Sequence, residues 1–238
     1  MHAKSESHPI WWLPLGIRSF AEMWTLQGLL VKARLRREIP DLFISLEHPH
    51  VITTGRSAQS ENLLSLEAPD GSGVVPIFDI ERGGDVTYHG PGQLVGYFIF
   101  DMEAMGRDLH VFLRQVEQVQ LELMKAFDLE GERVEGKTGV WMGTKKIGSV
   151  GIAVRQWISY HGFALNLSTD LRFFELINPC GFEASVMSSL SRAKGSPISR
   201  SDVEPHILAA LESVFKRDVI RVSEKRLPPS VLSKALPS

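Results

Sequence analysis

Cys180 is the only cysteine in the 238-residue chain, and it lies in the segment Asn178-Pro179-Cys180-Gly181-Phe182. A lone cysteine is a candidate nucleophile, because an ionised sulfur attacks a carbonyl carbon readily and also leaves readily. Inert packing is the competing interpretation, since a free cysteine behaves as a small apolar residue. Pro179 fixes a backbone angle and Gly181 has no side chain, and both favour a displayed turn. The sequence therefore predicts a turn that presents Cys180.

The segment Arg82–Leu94 concentrates glycines and hydrogen-bonding side chains in 13 residues. Glycine lets a backbone approach a bound ligand closely, although a glycine-rich hairpin with no ligand would have a similar composition. The spacing fits neither the dinucleotide fingerprint nor a phosphate loop. Together with Cys180, this segment indicates an acyltransferase that works through a thioester.

Composition excludes several classes of protein. The net charge is −2, and no cluster of lysine and arginine alternates with aromatic residues, so nucleic acid is not an expected partner. No apolar run approaches the roughly 18 residues of a membrane span, and the first nine residues are polar, so we expect a cytoplasmic protein that does not contact the membrane. His48 and His50 flank Pro49, but two histidines without a third ligand do not make a recognised metal motif, and we predict no metal.

Apolar residues at helical spacing predict three helices. Ser19 and Glu22 form a capping-box pattern at the start of the first helix. Asp108 is the predicted N-cap of the second. Asp202 is the predicted N-cap of the third, with Pro205 tolerated in its first turn.

Strand-forming runs occupy 42–46, 51–54 and 94–100, and 139–167 is typical of a three-stranded meander. Strands follow one another with few intervening helices, which predicts the α+β class: a single domain with a mixed or antiparallel sheet flanked by helices. We expect one catalytic domain over 10–222, with loosely ordered termini at 1–9 and 223–238.

Several segments resemble the signatures of the lipoyl(octanoyl) transferases, enzymes that move an octanoyl group from acyl carrier protein to lipoyl domains. In order and spacing they cover roughly residues 42 to 190. They are Glu47-His48-Pro49-x-Val51-Ile52-Thr53-x-Gly55-Arg56, Arg82-Gly83-Gly84-x-x-Thr87-Tyr88-His89-Gly90-Pro91-Gly92-Gln93-Leu94-Val95-Gly96-Tyr97, Lys146-Ile147-Gly148-Ser149-Val150-Gly151-Ile152, His161-Gly162-x-Ala164-Leu165-Asn166-Leu167 and Pro179-Cys180-Gly181.

The resemblance implies the biotin/lipoate protein ligase-like fold, an acyl-thioester on Cys180 and an activating lysine at Lys146. Lys145 is the competing lysine, but neighbouring residues on a strand face opposite ways, so only one of the two can face the thiol. The resemblance also implies a set of substrate-binding residues: Arg82, Gly83, Gly84, Asp85, Val86, Thr87, Tyr88, His89, Ser149, Val150, Gly151, Gly162, Phe163 and Ala164.

The implied partners are octanoyl-acyl carrier protein and the lipoyl domains of 2-oxoacid dehydrogenase E2 subunits and glycine cleavage H protein. No ATP, metal or other cofactor is implied, since exchange of one thioester for another needs no activating nucleotide. Three alternatives stay open: an ATP-dependent lipoate or biotin ligase, a thioesterase that pairs Cys180 with His161, and a non-catalytic acyl-carrier binding module. His89 and His161 are the histidines nearest to this chemistry, either as substrate contacts or as hydrogen-bonded structural residues.

Overall fold

A computed structural model of the chain describes residues 8–235, apart from the side chains of residues 180 and 235. The described part consists of two sheets and the helices that pack on them. The strands are β1 (Ile10–Ile17), β2 (Leu42–Glu47), β3 (Val51–Thr54), β4 (Ile77–Asp79), β5 (Val86–His89), β6 (Gln93–Ile99), β7 (Glu132–Val134), β8 (Lys137–Met142), β9 (Lys145–Arg155), β10 (Ile158–Asn166) and β11 (Val219–Arg221). The helices are α1 (Phe20–Leu35), α2 (Leu109–Lys125), α3 (Leu190–Lys194), α4 (Arg200–Phe215) and α5 (Pro229–Ala235).

The larger sheet has the strand order β11-β1-β2-β6-β10-β9-β8-β7. β1 pairs in parallel with both β2 and β11, whereas the pairs from β2 to β7 are antiparallel. The smaller sheet has the order β4-β3-β5 and carries the glycine-rich segment on its β5 edge. A mixed sheet with helices is the α+β architecture that the sequence predicts, and the expected fold class is confirmed.

Helices cover both faces of the larger sheet. One apolar cluster packs α2 and α4 on one face, where Phe98, Phe112 and Phe215 are in mutual aromatic contact. A second cluster packs α1 and α5 on the other face, around buried residues such as Met23 and Leu26. Two buried faces give the central strands an almost continuous apolar sequence, as in β6, where every residue is buried. Within residues 8–235, no helix has both the length and the apolar character needed to cross a bilayer.

Two of the predicted helix starts are confirmed. Ser19 and Glu22 form the capping box of α1, and Asp108 accepts a hydrogen bond from the Val111 N–H at the start of α2. The third prediction is wrong in register. Ser199, rather than Asp202, is the N-cap of α4, because the Asp202 carboxylate reaches back to the Ser199 N–H as the third residue of a capping box. Pro205 consequently lies inside the helix and not in its first turn.

The segment 223–235 differs from the expectation of a loose terminus. Leu227 and Val231 are 3% and 1% exposed, and both belong to the apolar cluster beneath α1. This segment is therefore packed as part of the domain. Residues 1–7 and 236–238, which we also expected to be loosely ordered, lie outside the described residues.

Candidate active site

A cavity of about 420 Å³ lies between the glycine-rich segment and the central strands β9 and β10. The β7–β8 hairpin, the start of α2 and the turn at 179–182 complete its wall. Its lining residues come from eight separate stretches of the chain. Its size falls within the range of about 300–1,000 Å³ that is usual for small-molecule sites.

Most of the predicted substrate-binding residues line this cavity. The lining includes Arg82, Gly83, Gly84, Asp85, Val86, Thr87, His89, Ser149, Val150, Gly151, Gly162, Phe163 and Ala164, together with Lys146. These three segments, 82–89, 146–151 and 162–164, thus meet at one place, although they are separated by up to about 80 residues in the chain.

Tyr88 is also a predicted substrate-binding residue, but it is not among the described residues that line the cavity. Successive side chains of a strand face opposite ways, so Tyr88 faces away from its neighbours Thr87 and His89. Its ring stacks on Phe173 at 5.2 Å between centroids, and its hydroxyl lies 2.7 Å from His50 Nδ1. Tyr88 therefore anchors β5 in a separate apolar cluster.

Glycines allow the strands and the glycine-rich segment to approach each other closely. A Cβ on Gly151 would lie 2.9 Å from Arg82 Cδ and 3.1 Å from the Gly83 carbonyl oxygen. Its cross-strand partner Gly162 faces a backbone even more closely, because a Cβ there would lie 2.1 Å from the Gly96 oxygen. The Gly83 N–H donates to the Ile152 oxygen at 2.9 Å and ties the segment to β9.

Arg82 holds the base of the glycine-rich segment. Its side chain is buried, and its guanidinium donates to the Thr53 carbonyl oxygen at 2.7 Å and to Thr53 Oγ1 at 3.0 and 3.2 Å. The same group also donates to its neighbour Gly83. A charged group that is buried with this many acceptors orders the backbone around it. Arg82 therefore fixes the segment as well as lining the cavity.

Lys146 and Lys145 have opposite environments, as strand alternation requires. Lys146 is 2% exposed and lines the cavity, and its Nζ lies 5.6 Å from the centroid of the Trp141 ring. Lys145 is exposed, and its Nζ donates to the Ser185 oxygen at 2.7 Å. Of these two lysines, Lys146 is the one that faces the cavity.

The turn that carries Cys180 is a single 3₁₀ turn, Pro179–Gly181. Gly181 has a φ of +74°, in the left-handed region that favours glycine, and the Phe182 N–H donates to the Pro179 oxygen at 3.2 Å. Pro179 and Phe182 both line the cavity. The predicted turn is thus confirmed for the backbone, while the Cys180 side chain lies outside the described residues, so that its presentation stays a prediction.

Trp141 connects the cysteine turn to Lys146. Its indole contacts the Phe182 ring edge-on at 5.7 Å, and the Lys146 ammonium lies over the same indole. The structure therefore brings the backbone of the cysteine turn and the lysine-bearing strand to the same end of the cavity.

Lys137 is a cavity residue that the sequence did not single out. It is exposed at the β7–β8 hairpin, where its Nζ lies 5.0 Å from the Trp141 centroid and 5.2 Å from the Phe182 centroid. Because Lys137 is the first residue of β8, next to a short hairpin turn, no alternation of apolar and polar residues could have indicated which way its side chain faces. Further lining residues come from unconnected elements: Phe20, Ile80, Val95, Tyr97, Leu109, Leu113 and Thr138.

Buried histidines form part of the wall at the glycine-rich segment. His89 and His161 both line the cavity, and burial lowers the pKa of each to about 3, with neighbouring positive groups adding to the effect. His48 lies 5.9 Å from His89 between ring centroids, and burial lowers its pKa to about 4. These rings are neutral at pH 7, and His89 Nδ1 lies 2.8 Å from Gln93 Oε1.

Metal ligation has no support from the described residues. Among them, no three histidine, aspartate or glutamate side chains converge on a point where they could hold an ion. His50 instead stacks on Phe173 with 4.0 Å between ring centroids.

A glycine-rich loop, a lysine-bearing strand and the backbone of the cysteine turn thus surround one cavity. Residues 19–212 match the family model described as the lipoyl protein ligase A/B catalytic domain. The chain belongs to this family.

Known relatives agree in sequence and in fold. The chain is 41% identical over 202 residues to an octanoyltransferase of Syntrophotalea carbinolica, covering 85% of this chain and 92% of the relative. It is 40% identical over 215 residues to an octanoyltransferase of Caldicellulosiruptor bescii, covering 90% and 94%. The crystal structure of lipoate-protein ligase A bound with ATP superposes with a TM-score of 0.70 at 16% identity, covering 96% and 92% of the two chains, and supports the expected fold.

Proposed function

We propose that this protein transfers an octanoyl group from octanoyl-acyl carrier protein to a lysine of lipoyl domains, through a thioester on Cys180. The acceptors are the lipoyl domains of 2-oxoacid dehydrogenase E2 subunits and of glycine cleavage H protein. One observation carries the proposal: a single cavity is lined by the glycine-rich segment, by Lys146, by Pro179 at the start of the cysteine turn and by Phe182 directly after it. The choice of octanoyl as the transferred group is supported by the octanoyltransferase relatives, which align over most of their length.

The cavity suits a medium-length saturated chain. Val150, Ile152 and Phe163 give it apolar walls, and the glycines of β9 and β10 keep it narrow. Burial of about seven methylenes contributes a gross 5 to 6 kcal/mol at about 0.8 kcal/mol each. This energy is large enough for the enzyme to distinguish octanoyl from much shorter chains.

In the first step, the Lys146 ammonium favours the thiolate form of Cys180, because a nearby positive charge lowers the pKa of a thiol. The thiolate attacks the octanoyl thioester carbon to form a tetrahedral oxyanion. This intermediate collapses by breaking the bond to the carrier sulfur, which takes a proton from the Lys146 ammonium and leaves as a thiol, so that Lys146 is now neutral. The octanoyl group is then bonded to Cys180.

In the second step, the lysine amine of the lipoyl domain attacks the same carbonyl carbon. Neutral Lys146 accepts the proton that the amine loses, and the Cys180 sulfur leaves as a thiolate. An amide replaces a thioester, and this makes the transfer favourable. Both steps balance without a nucleotide or a metal, so we propose that neither is required.

Lysine variants test these roles. Lys146→Ala should slow acylation of Cys180 by about a hundredfold or more, which is the usual contribution of a positioned acid or base. Lys145→Ala is the matched control, because it removes an exposed ammonium from the neighbouring position of the same strand. Single-turnover acylation with octanoyl-acyl carrier protein, followed by intact mass, gives the rates. A normal rate in Lys146→Ala, or a comparable loss in Lys145→Ala, would contradict the assignment.

Dependence on ATP provides an independent test. Octanoyl transfer from the carrier protein should proceed at the same rate with and without ATP and magnesium. Acylation of the lipoyl domain from free octanoic acid only in the presence of ATP would make the protein a ligase. Retained carrier affinity with no acyl adduct would instead make it a binding module.

A further inference from the structure

We propose that Asn62 is a positioning residue that couples the substrate segment, which is the glycine-rich segment Arg82–Leu94, to the cysteine turn during acyl transfer. This inference rests on the proposed function and adds a residue to it. Asn62 is 9% exposed and ends the 3₁₀ turn Ser60–Asn62, outside the wall of the cavity. It acts on the site through two other residues, one on each side of it.

The side chain of Asn62 holds the substrate segment. Its Nδ2 donates to Asp85 Oδ2. The other oxygen of that carboxylate, Oδ1, accepts from the Gln59 N–H at 3.2 Å and from the Val86 N–H at 2.8 Å. Asp85 lines the cavity directly after Gly83 and Gly84, and its carboxylate oxygens have three donors from the protein itself. Its carboxylate is therefore an anchor for the segment.

The main chain of Asn62 holds the cysteine turn. The Asn178 N–H donates to the Asn62 carbonyl oxygen at 2.8 Å, and the Asn178 oxygen in turn accepts from the Gly181 N–H at 3.1 Å. The first bond fixes the residue that precedes the turn, and the second closes the turn in which Cys180 lies. The next residues extend the contact, because Leu63 bridges to Ile177.

Asn62 therefore joins both sides of the reaction with a single residue. Its side chain fixes the segment that lines the acyl cavity, and its carbonyl oxygen fixes the turn that carries the nucleophile. A carbonyl carbon reacts rapidly only when it is held in line with the attacking atom, and errors of about 1 Å in placement cost about a hundredfold in rate. Loosening Asn62 should thus slow the chemistry more than it weakens acyl binding.

The test compares single-turnover acylation of Cys180 in four variants of the full chain. Asn62→Leu has a similar shape but cannot donate to Asp85. Asn62→Asp brings a second carboxylate against Asp85. The double variant Asn62→Asp/Asp85→Asn restores the side-chain hydrogen bond in the reverse direction, with the amide at 85 donating to the carboxylate at 62. The amide at 85 also keeps one oxygen, which can accept from the Gln59 and Val86 N–H groups. Ser60→Ala is the control, since it changes an exposed side chain in the same turn.

We expect Asn62→Leu and Asn62→Asp to lower the maximal acylation rate at least tenfold, with less than a threefold change in the half-saturating concentration of octanoyl-acyl carrier protein. The double variant should recover most of the rate, and Ser60→Ala should retain all of it. Urea unfolding midpoints, measured on the same samples, identify a purely structural effect, which would lower the midpoint and leave the rate of the folded enzyme unchanged.

A wild-type rate in folded Asn62→Leu, or a double variant no faster than Asn62→Asp, would overturn the inference. Absence of an acyl adduct in the wild-type protein would overturn the proposed function itself, and that result is distinct from either of these.

Discussion

Acidification should destabilise this protein through three buried histidines, His48, His89 and His161. Burial lowers their pKa values to about 4, 3 and 3, compared with 6.5 for an exposed imidazole. The unfolded chain therefore binds protons between pH 6.5 and about 4 that the folded protein does not bind. Stability consequently rises with pH through this window, and is lost as the pH falls from 6.5 towards 4.

The size of the effect follows from these pKa values. At pH 5 the unfolded state should bind about three more protons than the folded state at these positions, which gives a slope of about 4 kcal/mol per pH unit. Integrated from pH 8 to pH 5, the loss is about 6 kcal/mol, or about 2 kcal/mol for each histidine. Most domains have only about 5–15 kcal/mol of stability, so the urea midpoint should fall by a large fraction between pH 8 and pH 5.

Urea unfolding at pH values from 5 to 8 measures this slope. His89→Gln and His161→Gln should each reduce this slope by about 1.4 kcal/mol per pH unit, which corresponds to one proton, because glutamine does not titrate. The slope is the useful quantity, since a substitution that also strains the fold shifts stability equally at every pH. His206→Gln is the control, because His206 is exposed on α4. Unchanged slopes in both buried-site variants would refute the conclusion that these rings are buried and neutral.

Three further substitutions test the packing around the cavity. Gly151→Ala places a Cβ 2.9 Å from Arg82 Cδ, and this overpacking should cost about 1.4 kcal/mol. Steady-state assays of octanoyl transfer should therefore show about a tenfold lower kcat/KM. Glu117→Leu removes a carboxylate that is 1% exposed and accepts from the Gly139 N–H at 2.9 Å, so the free energy of unfolding should fall by about 1–3 kcal/mol, as measured in urea. Val231→Ala deletes two buried methyl groups in α5 and should cost about 1–3 kcal/mol in the same assay.

Each of these substitutions has an outcome that contradicts its premise. Wild-type kcat/KM in Gly151→Ala would mean that Arg82 and Gly83 can shift away from the added Cβ without slowing octanoyl transfer. Unchanged stability after Glu117→Leu would mean that water satisfies the Gly139 N–H. Unchanged stability after Val231→Ala would restore the earlier expectation that the segment after residue 222 is loosely held.

Local signals in the sequence were enough to predict many of the elements. The capping box at Ser19, the N-cap at Asp108 and the alternating strands of β8 to β10 depend on neighbours within a few residues, and the structure confirms them. The cavity lining was predictable for a different reason. Motifs of a known family identify residues that meet in space, whatever their separation in the chain.

The elements that sequence patterns missed depend on distant partners. β1 contains Pro14 and pairs with β11, whose residues follow it by about 200 positions, so no local pattern marks either as a strand. The role of Asn62 likewise exists only because Asp85 and Asn178 meet on either side of it. Tyr88 was predicted to bind substrate together with its neighbours, but strand alternation turns its ring into the core.

The most direct test of the central claim is intact-protein mass spectrometry after mixing the protein with octanoyl-acyl carrier protein, with and without ATP, followed by addition of a lipoyl domain. We predict an octanoyl adduct localised to Cys180 without ATP, which disappears as the lipoyl domain gains an octanoyl amide. Failure to form that adduct, while the domain is acylated from free octanoic acid only with ATP, would contradict the thioester mechanism.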